Sequence, residues 1–480
     1  MKKVKIKIGY APTRRDVFSK EEAHRFRELI LDEVKKFDAE IVDIEDINAE
    51  GLLYDDADVE KVAAKFIAAG VDGIFFPHCN FGCEHCAAKV AARLKKPVLL
   101  WGPRDDASLE NGDRSRDTQC GLFATGKVFR RFNVPFTYIV NTTVTDEIFR
   151  KGYDEFISIC QVVKAVRSLR ILQISTRPDP FWTVMYNEGE LLEKFGIQVF
   201  PVTMADLVFK VEEIKKNTDA PEFQETYESA VTRIDFARLT EEEKINIVAL
   251  KMAVLDLCTA NRCSAAAIQC WTVLQDLLHV MPCLANGLLT EEGIPTVCET
   301  DIHGAVSAVI MQEAARRRYP AFFADLTIRH PENDNAELLW HCGNFPPSII
   351  RKGKEPYVDY NFIMESHCPG VGVWEIEHGD MTICRFDGDH GEYRLLIGEG
   401  KGVEGPATKG TYVWFEVKDW PRFEEKIVTG PYVHHCAGTY GKLAPILYEA
   451  CKYIPGLTAD PAEPSEEEIQ ARRRMRNGSN

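Results

Sequence analysis

The chain predicts an α/β protein made of two doubly wound, Rossmann-like units followed by a β-rich C-terminal domain. Three observations carry that reading. Strand-like and helix-like segments alternate over residues 1–167, and a second βα series opens at Leu169-Arg170-Ile171-Leu172-Gln173-Ile174. After Asp325 the pattern changes to short alternating segments separated by Gly or Asp. Alternating β and α elements specify a parallel sheet with helices on its faces, whereas short alternating runs specify an antiparallel sheet or barrel. At 480 residues the chain exceeds one core, and the expected domains are 1–167, 168–318 and 319–480.

Residues 3–9 alternate charged and apolar side chains as a first strand. Residues 20–36 form an amphipathic helix with Phe26, Leu29, Ile30 and Val34 on one face. Strands follow at 39–44, 73–77 and 97–102, with helices at 59–69 and 120–132 and a helix at 145–167 leading out of the unit. In the second series, helical segments at 186–195 and over much of 219–258 flank strands at 197–202 and 265–270. Ligands of such sheets bind at the carboxyl ends of the strands. Arg14, Arg15, Trp101 and Arg104 are therefore candidates to reach a ligand. Beyond residue 325, segments 374–376, 381–385, 393–398 and 412–417 read as strands and 443–453 as a helix. The Pro-, Glu- and Arg-rich tail 460–480 has little to bury and is expected to be loosely held.

The formal charge of −16 argues against nucleic-acid or anionic-membrane partners. No apolar run approaches membrane-spanning length, and the opening residues run into a strand rather than a signal peptide. Fifteen cysteines without framework spacing fit reduced thiols, so a cytoplasmic protein is expected. Neither Gly-x-Gly-x-x-Gly nor a phosphate loop follows any strand, which excludes the usual dinucleotide and NTP sites.

The most informative stretch is Cys298-Glu299-Thr300-Asp301-Ile302-His303-Gly304, then an apolar helix, then Ala321-Phe322-Phe323-Ala324-Asp325. It reads as a parallel βαβ unit whose strand ends carry Glu299 and Asp325, two carboxylates able to share a hard divalent cation. Far downstream, Val433-His434-His435-Cys436-Ala437-Gly438-Thr439-Tyr440-Gly441 offers an imidazole. The blander reading makes Glu299 a helix cap and Asp325 an ordinary loop acid.

As an ordered set, these segments resemble the L-fucose isomerase family of metal-dependent aldose–ketose isomerases. The resemblance covers most of the chain. It implies that Glu299, Asp325 and His435 ligate Mn²⁺, with Mg²⁺ as a substitute, and that Glu299 and Asp325 move the protons of an ene-diol mechanism. His435 would be oriented by an acceptor that the sequence does not identify. Gln269, Trp414 and His434 inherit sugar-binding roles, His434 standing where some relatives have Asn. Asn344, in His341-Cys342-Gly343-Asn344, is a further pocket candidate. A free sugar such as L-fucose or D-arabinose is the implied substrate, and a hexamer the implied assembly. Arg14, Arg15 and Arg104 would also suit an anionic sugar such as a 6-sulfo hexose (sulfoquinovose).

One other constellation competes. Cys79, Cys83 and Cys86 have the C-x3-C-x2-C spacing that radical enzymes use to hold a four-iron cluster. They equally suit a packed strand-to-helix turn. A non-catalytic sugar-binding protein is the remaining alternative.

Overall fold

The computed structural model describes residues 4–475. The chain divides into two compact units. The first contains residues 4–164, 448–454 and 466–475; the second contains residues 165–447 and 455–465.

The first unit is a parallel five-stranded sheet of order β2-β1-β3-β4-β5, from β1 (Lys7–Tyr10), β2 (Glu40–Asp43), β3 (Gly73–Pro77), β4 (Val98–Trp101) and β5 (Thr137–Tyr138). Its helices are α1 (Lys20–Val34), α2 (Val59–Ala69), α3 (Glu84–Leu94), α4 (Thr118–Arg131) and α5 (Glu147–Arg167). Alternate residues of the central strands face opposite cores. Ile8, Tyr10, Phe75, Leu99 and Trp101 pack with Phe26 and Ile30 of α1 and Phe149 and Tyr153 of α5. Ile74, Phe76 and Leu100 pack with Val62 and Phe66 of α2 and Ala87 and Val90 of α3. Burial on both faces is why β3 and β4 are unbroken apolar runs. Gly70 ends α2 in the left-handed region at φ 66°, where a side chain would be strained.

The second unit opens with β6 (Arg170–Ile174), the short α6 (Glu188–Glu190), β7 (Gln198–Val202), α7 (Met204–Lys215), α8 (Pro221–Val231), α9 (Glu241–Ala260), β8 (Ala265–Ile268), α10 (Val273–Leu278), α11 (Cys283–Glu292), β9 (Thr296–Val297) and α12 (Ile302–Ala314). Its four strands make a parallel sheet of order β7-β6-β8-β9. Reciprocal capping boxes, Thr203 with Asp206 and Thr240 with Glu243, start α7 and α9.

The β-rich part comprises β10 (Phe322–Arg329), β11 (Ala336–His341), β12 (Tyr357–Tyr360), β13 (Pro369–Glu375), β14 (Asp380–Asp389), β15 (Glu392–Val403), β16 (Thr411–Glu416), α13 (Trp420–Thr429), β17 (His435–Tyr440), α14 (Ala444–Cys451), β18 (Leu457–Glu463) and α15 (Glu466–Arg474). The nine strands run in the order β12-β13-β16-β11-β10-β17-β14-β15-β18, and an added β15–β16 pairing closes a barrel through β16, β11, β10, β17, β14 and β15. Closure removes the exposed edges that short strands would otherwise present.

Two expectations are corrected. The 298–325 stretch is not a parallel βαβ unit: β9 belongs to the parallel sheet, whereas β10 pairs antiparallel with β11 and β17 in the barrel. The reason lies in α12, buried along its whole length. It packs on β14 and β17 of the barrel and on β6 and β8 of the parallel sheet, so it carries the chain from one sheet to the other. The tail is not loose over its described part. β18 pairs in parallel with β15, and α15 places three Glu in its first turn and three Arg in its last, complementing the helix dipole. Residues 476–480 lie outside the described residues.

Candidate active site

The site is built within the second unit from three strand neighbourhoods. Strand pairing brings two of its residues together: β10 and β17 run antiparallel with Asp325 directly opposite His435. On the other side of β10, β11 pairs Trp340 with Asp325, which brings the adjacent His341 alongside. The third contribution is the turn from β9 into α12. Glu299 and Thr300 both lie in the left-handed region, at φ 54°. Non-glycine residues there cost of order 1 kcal/mol or more each and persist where the surroundings over-determine them. The tight turn lets Asp301 cap α12, its Oδ1 accepting from Gly304 N at 2.8 Å, while Glu299 faces the histidines.

Four polar atoms converge. His435 Nε2 lies 3.4 Å from Asp325 Oδ1 and 3.8 Å from Glu299 Oε2. His341 Nε2 lies 3.9 Å and 3.8 Å from the same two oxygens. Glu299 Oε2, Asp325 Oδ1 and His341 Nε2 are buried without a hydrogen-bond partner. Donors about 2.1 Å from a shared cation lie about 3–4 Å apart, so the spacing of each imidazole from the two carboxylates suits a divalent metal, and Asp325, His434 and His435 gather as one candidate ligand group.

The supporting bonds distinguish the two imidazoles. His435 Nδ1 sits 2.8 Å from Asp301 Oδ2, an acceptor only, so Nδ1 carries the proton and Nε2 offers its lone pair. His341 Nδ1 accepts from Cys342 N at 2.8 Å, which places the proton of the neutral ring on Nε2. It offers a lone pair there only if that main-chain bond is given up.

Asp301 is held in turn by the Arg385 guanidinium, whose Nε also donates to Asp387 Oδ2 at 2.7 Å. Asp387 Oδ1 receives His303 Nδ1 at 2.9 Å. The network accordingly runs His435–Asp301–Arg385–Asp387–His303 entirely through buried side chains.

Burial pushes the Glu299 carboxyl up, but the His341 and His435 imidazoles and the Cys270 thiol, 3.3 Å from Oε1, outweigh it and hold it below its ordinary value. Burial likewise opposes charge on Asp301, yet Arg385 and His435 keep it well below the carboxylate range. For His435, burial pulls the pKa down and the bond to Asp301, with Asp325 and Glu299 nearby, raises it above the ordinary value.

A cavity of about 660 Å³ adjoins this cluster, lined by Gln173, Thr176, Arg177, Tyr186, Gln269 and Thr300 among others. Gln269 Oε1 accepts from Ser175 Oγ at 2.7 Å. The Phe181 ring stands against Trp271, His434 and His435, with centroids 5.3, 6.3 and 6.4 Å away. His434 is exposed beside His435. Asn344 is buried behind Glu299, its amide 3.7 Å from Cys298 Sγ.

Trp414 is 2% exposed in a small cluster with Leu338 and Tyr412, its indole N–H donating to Pro406 O. In the first unit, Trp101 is fully buried against Phe149. Arg14 is paired with Glu50 and Asp16, and Arg15 with Glu84; Arg104 is exposed. The three cysteines of the spacing motif do not converge: Cys79 joins the core on one sheet face, Cys83 and Cys86 the core on the other. A three-thiolate cluster is thereby ruled out for this conformation; Cys83, Cys86 and the exposed His85 are the residues that gather.

Sequence reasoning missed Arg385, Asp387, His303 and Arg177, and it took His341, beside Cys342, as a packed or pocket-lining residue rather than a metal ligand. His341 left one signal, a His closing an apolar strand. Arg385 also left one, a charge inside Ile383-Cys384-Arg385-Phe386.

The chain is similar to known proteins in both its N-terminal and C-terminal parts. Residues 9–167 match the N-terminal domain of fucose/sulfoquinovose isomerase, and residues 339–456 match the C-terminal domain of L-fucose isomerase. The chain is 26% identical over 347 residues to a sulfoquinovose isomerase of Alkalicoccus urumqiensis, covering 71% of this chain and 74% of that protein. It is 25% identical over 359 residues to one of Priestia aryabhattai, covering 72% and 76%. A third, of a Clostridium species, is 23% identical over 378 residues, covering 77% and 81%. With both characteristic domains in order and candidate metal-ligand groups among the described residues, the chain belongs to the fucose isomerase family of metal-dependent isomerases.

Proposed function

We propose that this protein interconverts an aldose and a ketose whose far end carries an anion, a hexose sulfonated at C6, using Mn²⁺. The placement of His435 Nε2 3.8 Å from Glu299 Oε2 and 3.4 Å from Asp325 Oδ1 carries the reaction class. The relatives' common name, sulfoquinovose isomerase, supports the substrate class. Glu299, Asp325 and His435 would hold the cation, and an imidazole in the set favours Mn²⁺ over Mg²⁺. When bound, the cation supplies Lewis acidity to the carbonyl and the neighbouring hydroxyl.

The chain's own groups account for the protons. Glu299, ionised at neutral pH, takes the C2 proton of the aldose and returns it to C1. Asp325 passes the hydroxyl proton from O2 to O1, so the ketose forms with no net gain or loss. Asp301 fixes the His435 ring, and Phe181 stands against both histidines. A neutral aldose such as L-fucose is the second reading, favoured by the match of residues 339–456.

The test is proton exchange followed by NMR in D₂O, with Mn²⁺, over a panel of sulfonated and neutral aldoses. Metal-dependent deuterium at C2 of the sulfonated hexose is expected, with a rate loss of roughly 10³-fold or more in Glu299→Gln. Exchange that persists in that variant would remove Glu299 as the base.

A further inference from the structure

We infer that Arg177 forms an anion subsite in the cavity beside Glu299 and receives the charged end of the substrate. The inference rests on the proposed reaction, and it assigns a residue to the substrate's charge.

The cavity lies at the carboxyl edge of the parallel sheet, where β6, β8 and β9 end in Ser175–Arg177, Gln269 and Glu299–Thr300. These three ends are tied together. Thr300 Oγ1 donates to Thr176 O at 3.1 Å, and Ser175 Oγ to Gln269 Oε1 at 2.7 Å. Ser175 itself is in the left-handed region, at φ 64°, so the segment that leads to Arg177 is set by a strained residue and by a direct bond to the neighbour of Glu299. Among the residues that line the cavity, Arg177 is the cation.

Asp179 lines the same cavity, yet Arg177 is ion-paired with no carboxylate. In the surrounding unit Arg385, Arg317 and Arg351 are paired with carboxylates, as are Arg14, Arg27 and Arg116 of the first unit. Among the described residues no carboxylate lies within ion-pair distance of Arg177. Its Nη1 instead donates to the main-chain oxygens of Pro178, at 3.1 Å, and Asp179, at 2.7 Å. Those two bonds orient the planar fork without neutralising it. In a chain of net charge −16, an oriented, unpaired guanidinium in the cavity next to a reaction centre suits a tetrahedral oxyanion such as a sulfonate or phosphate, which it can meet with two N–H groups at once.

The experiment compares kcat/KM for a hexose sulfonated at C6, its C6-phosphorylated counterpart and its neutral 6-deoxy counterpart, in wild type, R177Q and R177K. Mn²⁺ binding is followed by EPR in each, as a check that the site is folded. The preference for the sulfonated over the neutral sugar should fall about 30-fold in R177Q, and by less in R177K, which keeps the charge but not the fork. Relative turnover of the phosphorylated and sulfonated sugars tells which oxyanion is the substrate's. A preference within about threefold of wild type in both variants, in an enzyme that turns over the sulfonated sugar, overturns the subsite and leaves the isomerase reading standing. Wild-type turnover of neutral sugars alone overturns the substrate class, and the subsite with it. Should R177Q fail to bind Mn²⁺, the R177K preference decides.

Discussion

At the scale of single residues, Asp301 has the most consequential position in the site. It caps α12, pairs with Arg385 and orients His435, all with a fully buried carboxylate. Asn at this position keeps the shape and removes the charge, leaving Arg385 with only Asp387 and His435 without its anionic acceptor. Breaking a buried pair in this way costs about 3–5 kcal/mol, because an uncompensated charge remains inside. Loss of the orienting acceptor lowers metal affinity by about 10–100-fold. Asp301→Asn should therefore show both a lower denaturation midpoint and weaker Mn²⁺ binding by titration. Normal Mn²⁺ affinity in a folded variant would mean that His435 is positioned by its strand alone. Asp301 was legible as a carboxylate next to Glu299, but nothing in Cys298-Glu299-Thr300-Asp301 says which acid faces the cation and which faces the arginine. The left-handed backbone at Glu299 and Thr300 makes that choice.

At the scale of elements, the turn between β3 and α3 is the sharpest case of chemistry diverted to packing. His78 follows β3 and is fully buried, with Nδ1 2.7 Å from Phe81 O and Nε2 3.2 Å from Thr125 Oγ1. Gly82 and Gly121 close on its ring, where any Cβ would collide. Burial depresses its pKa to about 4, against the opposing pull of the Phe81 carbonyl. Between pH 6.5 and 4 the unfolded chain binds a proton at this residue that the folded chain does not. Stability is thus intact above the unfolded value and falls as pH drops through this window, by about 3 kcal/mol in all. Urea denaturation from pH 7 to 4.5 should show that slope, and His78→Gln should flatten it whatever its effect on stability at pH 7. An unchanged slope in the variant would assign the acid sensitivity to another group.

The barrel makes the complementary point. Segments 381–385, 393–398 and 412–417 were readable as strands from alternation alone. The register that sets Asp325 opposite His435 was not, since it joins strands more than a hundred residues apart.

At the scale of the molecule, the proposed ligands Glu299, Asp325 and His435 all lie within residues 165–447, one of the two compact units. A cation bound there stabilises that unit by mass action, about 2.7 kcal/mol at a hundredfold excess over Kd. Thermal unfolding with and without Mn²⁺ should show a rise in the transition of this unit that chelation reverses and Glu299→Gln abolishes. A rise of equal size in Glu299→Gln would place the responsible ion elsewhere. Among the described residues no helix is long and apolar enough to cross a membrane.

The sequence by itself determined the fold class, because helical and strand periodicities are local and survive without knowledge of partners. Through the ordered motifs that resemble a metal-dependent isomerase family it also pointed to Glu299, Asp325 and His435, because a metal centre restricts residue types even when its members are far apart. Only the tertiary structure decided how α12 passes from the parallel sheet to the barrel. It also decided that Trp101 and Trp414 are packed in cores, that Arg14 and Arg15 are held by carboxylates, that His341 lies beside Glu299 and Asp325, and that Arg177 lines a cavity. Those outcomes depend on which side chains meet across long separations, and burial and ion pairing are settled there.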